Sequence, residues 1–258
     1  MSFNLTEFAK KVEEDGYCVV ENVLSAEFIA ETKNELQQAI QKEQEYHGTS
    51  SYNDYGMVLL CALYGGNFIK LFDNKLLTDC IEAVLGEGSI VYAYTSSSMP
   101  PNKSNYSRRI HVDSPRIIPG YMTNLGVTIA LDDFTAENGA TYFLPKSHHL
   151  AEPPAEEYFY ANAKRFIAKA GSVWFFNART WHAGGDNKTS EWRHGLTLNM
   201  CRPYMKQRLD IPRAMAHMDL NNVSEKALQK LGFLAQTPAS YDEYYAPPEK
   251  RKYRQKYE

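Results

Sequence analysis

Cysteine is scarce and scattered. Cys18, Cys61, Cys80 and Cys201 are the four in 258 residues, with no CxxC and no close spacing. That argues against a disulfide framework or a zinc knuckle and fits reduced, buried thiols in a cytoplasmic protein. Long apolar runs are missing: none approaches the roughly 20 residues needed to cross a bilayer. Met1-Ser2-Phe3-Asn4 lacks the basic stretch and apolar core of a secretory leader. Positive charge is not in excess either. Lys and Arg number 28 against 31 Asp and Glu, for a net charge of −3. No electrostatic footprint therefore marks nucleic acid or an anionic membrane as a partner. Internal repeats and a recognisable interdomain linker are also lacking, so a single domain over residues 1–258 is expected.

What is present reads as helices, then strands, then helices. Asn4 and Glu7 form a capping pair ahead of the apolar stripe Leu5, Phe8, Ala9 and Val12, and Gly16 stops that helix. Tyr17 to Val23 is β-rich. Ser25 caps a long amphipathic helix carrying Phe28, Ile29, Leu36, Ala39 and Ile40, followed by a polar loop from His47 to Gly56. Helical signal returns over Asn67–Phe72 and Leu76–Leu85. From Ser89 the chain changes to short β segments broken by turn residues: Ile90–Ser97, Arg109–Asp113, Leu125–Leu131, Thr141–Leu144, Arg165–Ala168, Ser172–Phe176, Thr180–His182 and Arg193–Arg202. Short helices are expected over Ala214–Leu220 and Ser224–Leu231, and no regular structure from Tyr241 to Pro248. The expectation is a mainly β fold with flanking α-helices. It comprises a helical preface (1–88), a jelly-roll barrel (89–204) and C-terminal helices with a tail (205–258).

The chemistry concentrates in His111-Val112-Asp113, Trp181-His182 and Arg193. Two imidazoles and a carboxylate make the donor set that suits non-haem Fe(II) and leave half an octahedron open. Residues i and i+2 of an extended segment face the same side, so His111 and Asp113 can grip one ion, with His182 arriving from a neighbouring strand. Arg193 lies beyond the turn-rich Gly184-Gly185-Asp186-Asn187. A hairpin of that length returns a planar guanidinium towards the metal, suited to a bidentate carboxylate.

With these residues goes a middle stretch, Ala130-Leu131-Asp132-Asp133-Phe134-Thr135-Ala136-Glu137-Asn138-Gly139-Ala140-Thr141. Leu144-Pro145-Lys146-Ser147-His148 and Gly171-Ser172-Val173-Trp174-Phe175-Phe176 follow. Together they resemble the phytanoyl-CoA dioxygenase family of Fe(II)/2-oxoglutarate-dependent oxygenases, over about Phe8 to Leu231. The resemblance implies a double-stranded β-helix (cupin-like jelly roll), with iron on His111, Asp113 and His182. It implies 2-oxoglutarate as cosubstrate and O2 as oxidant, with release of succinate and CO2. Arg193 would anchor the distal carboxylate, with Ser114, Thr128 and Thr197 as further cosubstrate candidates. In related halogenases the Asp113 position is Gly or Ala, so the carboxylate implies oxygenation rather than chlorination. Two departures stand out. Family members often carry Ser where this chain has Gly184, and Lys-Pro where it has Met99-Pro100.

Asp132, Asp133, Glu137 and Asn138 read as turn residues, His148 and His149 as loop histidines, and Trp174 and Trp181 as packing. Polar and aromatic residues cluster in two stretches expected over the mouth, Ser50 to Tyr55 and Ser96 to Met99. Tyr52, Tyr55, Ser98, Arg109 and Arg116 are the substrate candidates, and the loop holding Tyr52 and Tyr55 is a candidate lid. A small polar molecule is the expected substrate, and hydroxylation the expected outcome. Desaturation, epoxidation or cyclisation with the same cofactors, and a non-catalytic metabolite-binding barrel, are the alternatives. Oligomeric state is not readable from the sequence.

Overall fold

In the computed structural model, residues 3–48 and 54–253 are described. Helix α1 (Leu5–Asp15) opens where the Asn4 side chain accepts the Glu7 N–H, and closes on Gly16 at φ 82°. Strand β1 (Tyr17–Val20) follows, then α2 (Ala26–His47), capped by Ser25 and ended by Gly48 at φ 68°. Such positive φ values cost glycine nothing and other residues a clash. The helix expected over Asn67–Phe72 is a single turn, α3 (Asn67–Lys70), tightened into a 3-10 turn at Leu71–Asp73. Helix α4 (Lys75–Leu85) uses Asn74 as its cap and stops before Gly86.

Strands β2 (Ile90–Ser96), β3 (Asn124–Ala130), β4 (Tyr142–Phe143), β5 (Lys164–Arg165), β6 (Val173–Asn177), β7 (His182–Ala183) and β8 (Gly195–Cys201) form two antiparallel sheets. One has the order β1-β6-β3-β8-β2 and the other β5-β4-β7. They face each other as the jelly roll requires. Phe143 from the small sheet packs on Trp174 from the large one at 5.0 Å between ring centroids. Ala130, Phe134, Ala140, Phe166 and Phe176 complete this inner layer.

Alternation decides what each face of the large sheet does. Leu125, Val127, Ile129, Val173, Phe175, Leu196, Leu198 and Met200 point outward into the main core, where Phe8, Val12, Leu36, Leu77 and Ile81 of the helices cover them. The inward row runs across four strands in register, Trp174↔Thr128, Thr128↔Thr197 and Thr197↔Thr95. One face therefore builds stability, and the other presents polar groups to the interior.

Four expectations shift. Arg109–Asp113 forms no ladder, only one bridge, His111↔His182. A 3-10 turn at Tyr106–Arg108 precedes it and Pro115 follows closely, so no length is left for a strand. The helix expected over Ala214–Leu220 starts earlier, as α6 (Ile211–Ala214), because Asp210 caps it and a proline sits in its first turn. An unforeseen helix, α5 (Glu156–Asn162), precedes β5. After α7 (Glu225–Leu231), the Tyr-rich tail holds one capped turn, α8 (Tyr241–Tyr244). No helix of the described residues is long and apolar enough to cross a membrane.

Candidate metal centre

His111 and His182 meet at the open end between the sheets, exchanging backbone hydrogen bonds in both directions at 2.9 Å. Asp113 N–H donates to Ala178 O, also at 2.9 Å. Positions 111 and 113 thus keep extended alternation without a strand, and both side chains turn the same way. Each imidazole is aimed by its own backbone. His111 Nδ1 lies 2.8 Å from Arg109 O, and His182 Nδ1 lies 2.9 Å from Thr180 O. With Nδ1–H donating there, the Nε2 lone pair of each ring is left to face inward. Those Nε2 atoms stand 3.6 and 3.8 Å from Asp113 Oδ1. One donor atom from each of the three residues lies within 4.8 Å of the others. Two nitrogens and a hard oxygen on one side fit Fe(II).

The electrostatics follow from burial and proximity. Burial pushes His182 down to about 4, with Asp113 opposing and His111 assisting. For His111 burial acts downward too, but the Asp113 carboxylate outweighs it and holds the ring above its ordinary value. Burial would raise Asp113, yet the two histidines hold it below the usual carboxylate range.

Arg193 enters the same cavity and is 1% exposed. Its Nη2 donates to Ser97 O at 2.9 Å, and the guanidinium lies 4.1 Å over the Phe134 ring. Nε and Nη1 are buried with no hydrogen-bond partner among the described residues. Asp132, whose charge acts on Arg193, is taken by Lys33 and by the His194 N–H at 2.7 Å. Burial pushes Arg193 down to about 9, although the Asp132 charge works against it. A buried cation with two unmet donors is costly to keep without an anion. A carboxylate-bearing cosubstrate fits these donors in charge and in hydrogen-bonding capacity.

Comparison with known proteins agrees. Residues 12–195 match the family model for phytanoyl-CoA dioxygenase (PhyH). The uncharacterized protein Rv1501 of Mycobacterium tuberculosis is 30% identical over 247 residues, spanning 93% of this chain and 90% of the relative. The chain belongs to the phytanoyl-CoA dioxygenase family. With it, the protein takes its place among the 2-oxoglutarate-dependent non-haem iron oxygenases. The fold is shared with the non-haem alpha ketoglutarate dependent epimerase SnoN from nogalamycin biosynthesis. That structure has a TM-score of 0.62 and 24% identity, covering 77% of this chain and 83% of SnoN. SnoN in complex with Fe3+, alpha ketoglutarate and nogalamycin RO gives a TM-score of 0.59 and 22% identity, over 77% and 84%.

In this family member the cavity of about 80 Å³ at the triad is lined by Arg193, Thr128 and Thr197, together with Ser97, Trp174 and Phe176. It adjoins a chamber of about 780 Å³, whose lining again includes His111 and Asp113. Arg109 lines that outer chamber. So does Arg208, which the sequence reading missed because it sits far along the chain, brought in after β8.

Other expected site residues lie elsewhere. Ser114 and Arg116 line a separate cavity of about 290 Å³ with Arg179 and Tyr121, because Ser114 is the neighbour of Asp113 and faces away from it. Ser98 likewise alternates away from Ser97 and Met99, and its hydroxyl meets His194 Nδ1 at 3.1 Å. Tyr55 packs edge-on to Trp192 at 5.8 Å, beside a cavity formed with α2 rather than the triad. Tyr52 lies outside the described residues. At Gly184 an added Cβ would stand 2.4 Å from Ser107 Oγ. Ser107 lines the cavity itself, its hydroxyl held by Asn105 Oδ1 at 2.5 Å.

Proposed function

We propose that His111, Asp113 and His182 hold Fe(II), and that Arg193, Thr128 and Thr197 seat 2-oxoglutarate beside it. The protein then hydroxylates a small molecule, consuming O2 and releasing succinate and CO2. What carries this reading is a single juxtaposition. Two backbone-aimed imidazoles and a carboxylate converge in a cavity where two nitrogens of a buried guanidinium have no hydrogen-bond partner among the described residues.

Iron with 2-oxoglutarate would supply the oxidising chemistry; the protein supplies ligation, orientation and shelter from water. Arg193 would hold the far carboxylate by charge-assisted hydrogen bonds, which would turn the 2-oxo acid end towards the histidines. The inward threonines Thr128 and Thr197 offer hydroxyls along the floor. Trp174 and Phe176 pack beside His182, at 6.0 and 5.2 Å between ring centroids, and keep the interior dry.

The outer chamber supports a substrate of mixed character. Leu59, Leu60, Leu63, Leu209 and Ile211 give it apolar walls, while Arg109 and Arg208 stand in the same lining. Neither guanidinium has an ion-pair partner among the described residues, so an acidic group on the substrate has two candidate anchors. A compact molecule with an apolar body and one anionic edge fits better than a uniformly polar one.

The test is succinate release by Fe(II)-loaded protein given 2-oxoglutarate, under 18O2, against fractionated metabolite extracts. One fraction should raise succinate output above the substrate-free rate and yield a product carrying 18O. If succinate never depends on added Fe(II), or if it appears without oxygen, the reading falls.

A further inference from the structure

Besides Arg193, two more polar groups in the triad cavity are left unspent by the fold. Ser97 and Trp174 both line the cavity, and the Ser97 hydroxyl and the Trp174 indole Nε1–H are shut off from solvent with no hydrogen-bond partner among the described residues. Trp174 is 1% exposed. A buried donor without an acceptor weighs against folding, so such groups persist where a ligand satisfies them.

Their placement assigns each an end of the cavity. Arg193 Nη2 donates to the backbone carbonyl of Ser97 at 2.9 Å, which brings that residue beside the guanidinium. Gly195 keeps that corner open, since a Cβ there would come 2.6 Å from Ser97 Oγ. Trp174 borders the metal end, its ring 6.0 Å from that of His182 and its backbone paired with Thr128. The indole cannot swing to another acceptor. It is stacked on Phe176 at 3.9 Å and 14°, and Phe143 closes on it at 5.0 Å.

We infer that Ser97 and Trp174 are binding residues for the acidic cosubstrate. The Ser97 hydroxyl donates to the carboxylate that Arg193 seats, and the Trp174 indole N–H donates to an oxygen at the metal-binding end. This rests on the reading of the cavity as the 2-oxoglutarate site. It makes a specific trade visible: the same two groups are a cost to the protein alone and a gain to the complex.

Calorimetry of 2-oxoglutarate binding to Fe(II)-loaded protein without oxygen tests it, alongside thermal melting of the protein without cosubstrate. Ser97→Ala should weaken 2-oxoglutarate by roughly 10-fold or more, while its Tm stays unchanged or rises because an unmet hydroxyl has been removed. Trp174→Phe should weaken binding to a similar degree. Phe143→Leu, which loosens the same aromatic layer but removes no donor, should stay within about threefold of wild type. Arg193→Gln is the reference. If Arg193→Gln binds 2-oxoglutarate as the wild type does, the cosubstrate reading itself is lost. If Arg193→Gln fails to bind while Ser97→Ala binds normally, Ser97 is struck out. If Trp174→Phe binds normally, or no worse than Phe143→Leu, Trp174 is struck out.

Discussion

His111 and His182 lock each other in place through paired backbone hydrogen bonds at 2.9 Å, which sets their rings 4.2 Å apart before any metal arrives. The two side chains therefore need little reorganisation to share an ion, and the backbone bridge does not depend on either imidazole.

From this, His111→Ala, Asp113→Ala and His182→Ala should each abolish iron retention and succinate production while the fold survives. Two protein ligands rarely hold Fe(II) against buffer. Metal content by emission spectroscopy and thermal melting of metal-free protein check the two halves. Wild-type iron content in any one variant removes that residue from the site.

Arg193→Lys should raise the 2-oxoglutarate Kd by about 30- to 3,000-fold, matching the roughly 2–5 kcal/mol lost when one arm of a buried charged pair is cut. An ammonium is a point charge and cannot reproduce the directed donors of a planar guanidinium. A change below about threefold would move the carboxylate anchor elsewhere.

Away from the site, Lys230 is fully buried and held by Glu82 at 2.8 Å, Ser89 Oγ at 2.8 Å and Glu87 O at 3.1 Å. The pair pins α7 to α4. Burial would raise the Glu82 carboxyl, but hydrogen bonds from Lys226 and Lys230 outweigh it and hold the group below its ordinary value. Glu82→Gln leaves a buried cation uncompensated and should cost about 3 kcal/mol or more in urea unfolding. A loss under about 1 kcal/mol would mean Lys230 is satisfied without it.

His194 supplies a pH dependence. Its ring stacks on Trp192 at 5.6 Å and 10°, and burial pushes its pKa down to about 4 against an opposing pull from Asp132. The unfolded chain takes the proton near 6.5, and the folded state refuses it until about 4. Stability therefore falls as pH drops through that window and is level again below it. The contribution is at most about 3 kcal/mol. His194→Gln should flatten part of the slope between pH 6.5 and 4.5 in urea midpoints. An unchanged slope would show that His194 titrates normally when folded.

How much was legible in the sequence depends on which physical rule governed each residue. Helix caps at Asn4 and Ser25 were readable because a capping side chain acts on backbone three residues away. His111 and Asp113 share a face because i, i+2 alternation needs only an extended backbone, not a strand. The same alternation, applied one residue further, turns Ser114 and Ser98 away from the cavity, and a list of nearby polar residues misses that. Trp174 was hidden for another reason. Val173-Trp174-Phe175-Phe176 is apolar throughout, so no polar partner marks which face looks inward. Only the cross-strand register, Trp174 beside Thr128 beside Thr197, reveals it. Arg208 needed the chain path after β8, which no local pattern encodes.

The central claim is that iron and 2-oxoglutarate meet in the cavity bounded by the triad and Arg193. Anaerobic titration of the protein with Fe(II) and then 2-oxoglutarate, followed by visible absorption, tests it most directly. The account predicts a weak charge-transfer band that saturates at one iron and one cosubstrate per chain, disappears in Asp113→Ala, and needs far more 2-oxoglutarate in Arg193→Lys. A wild-type protein that gives no band under these conditions, or a band that survives in Asp113→Ala, would contradict it.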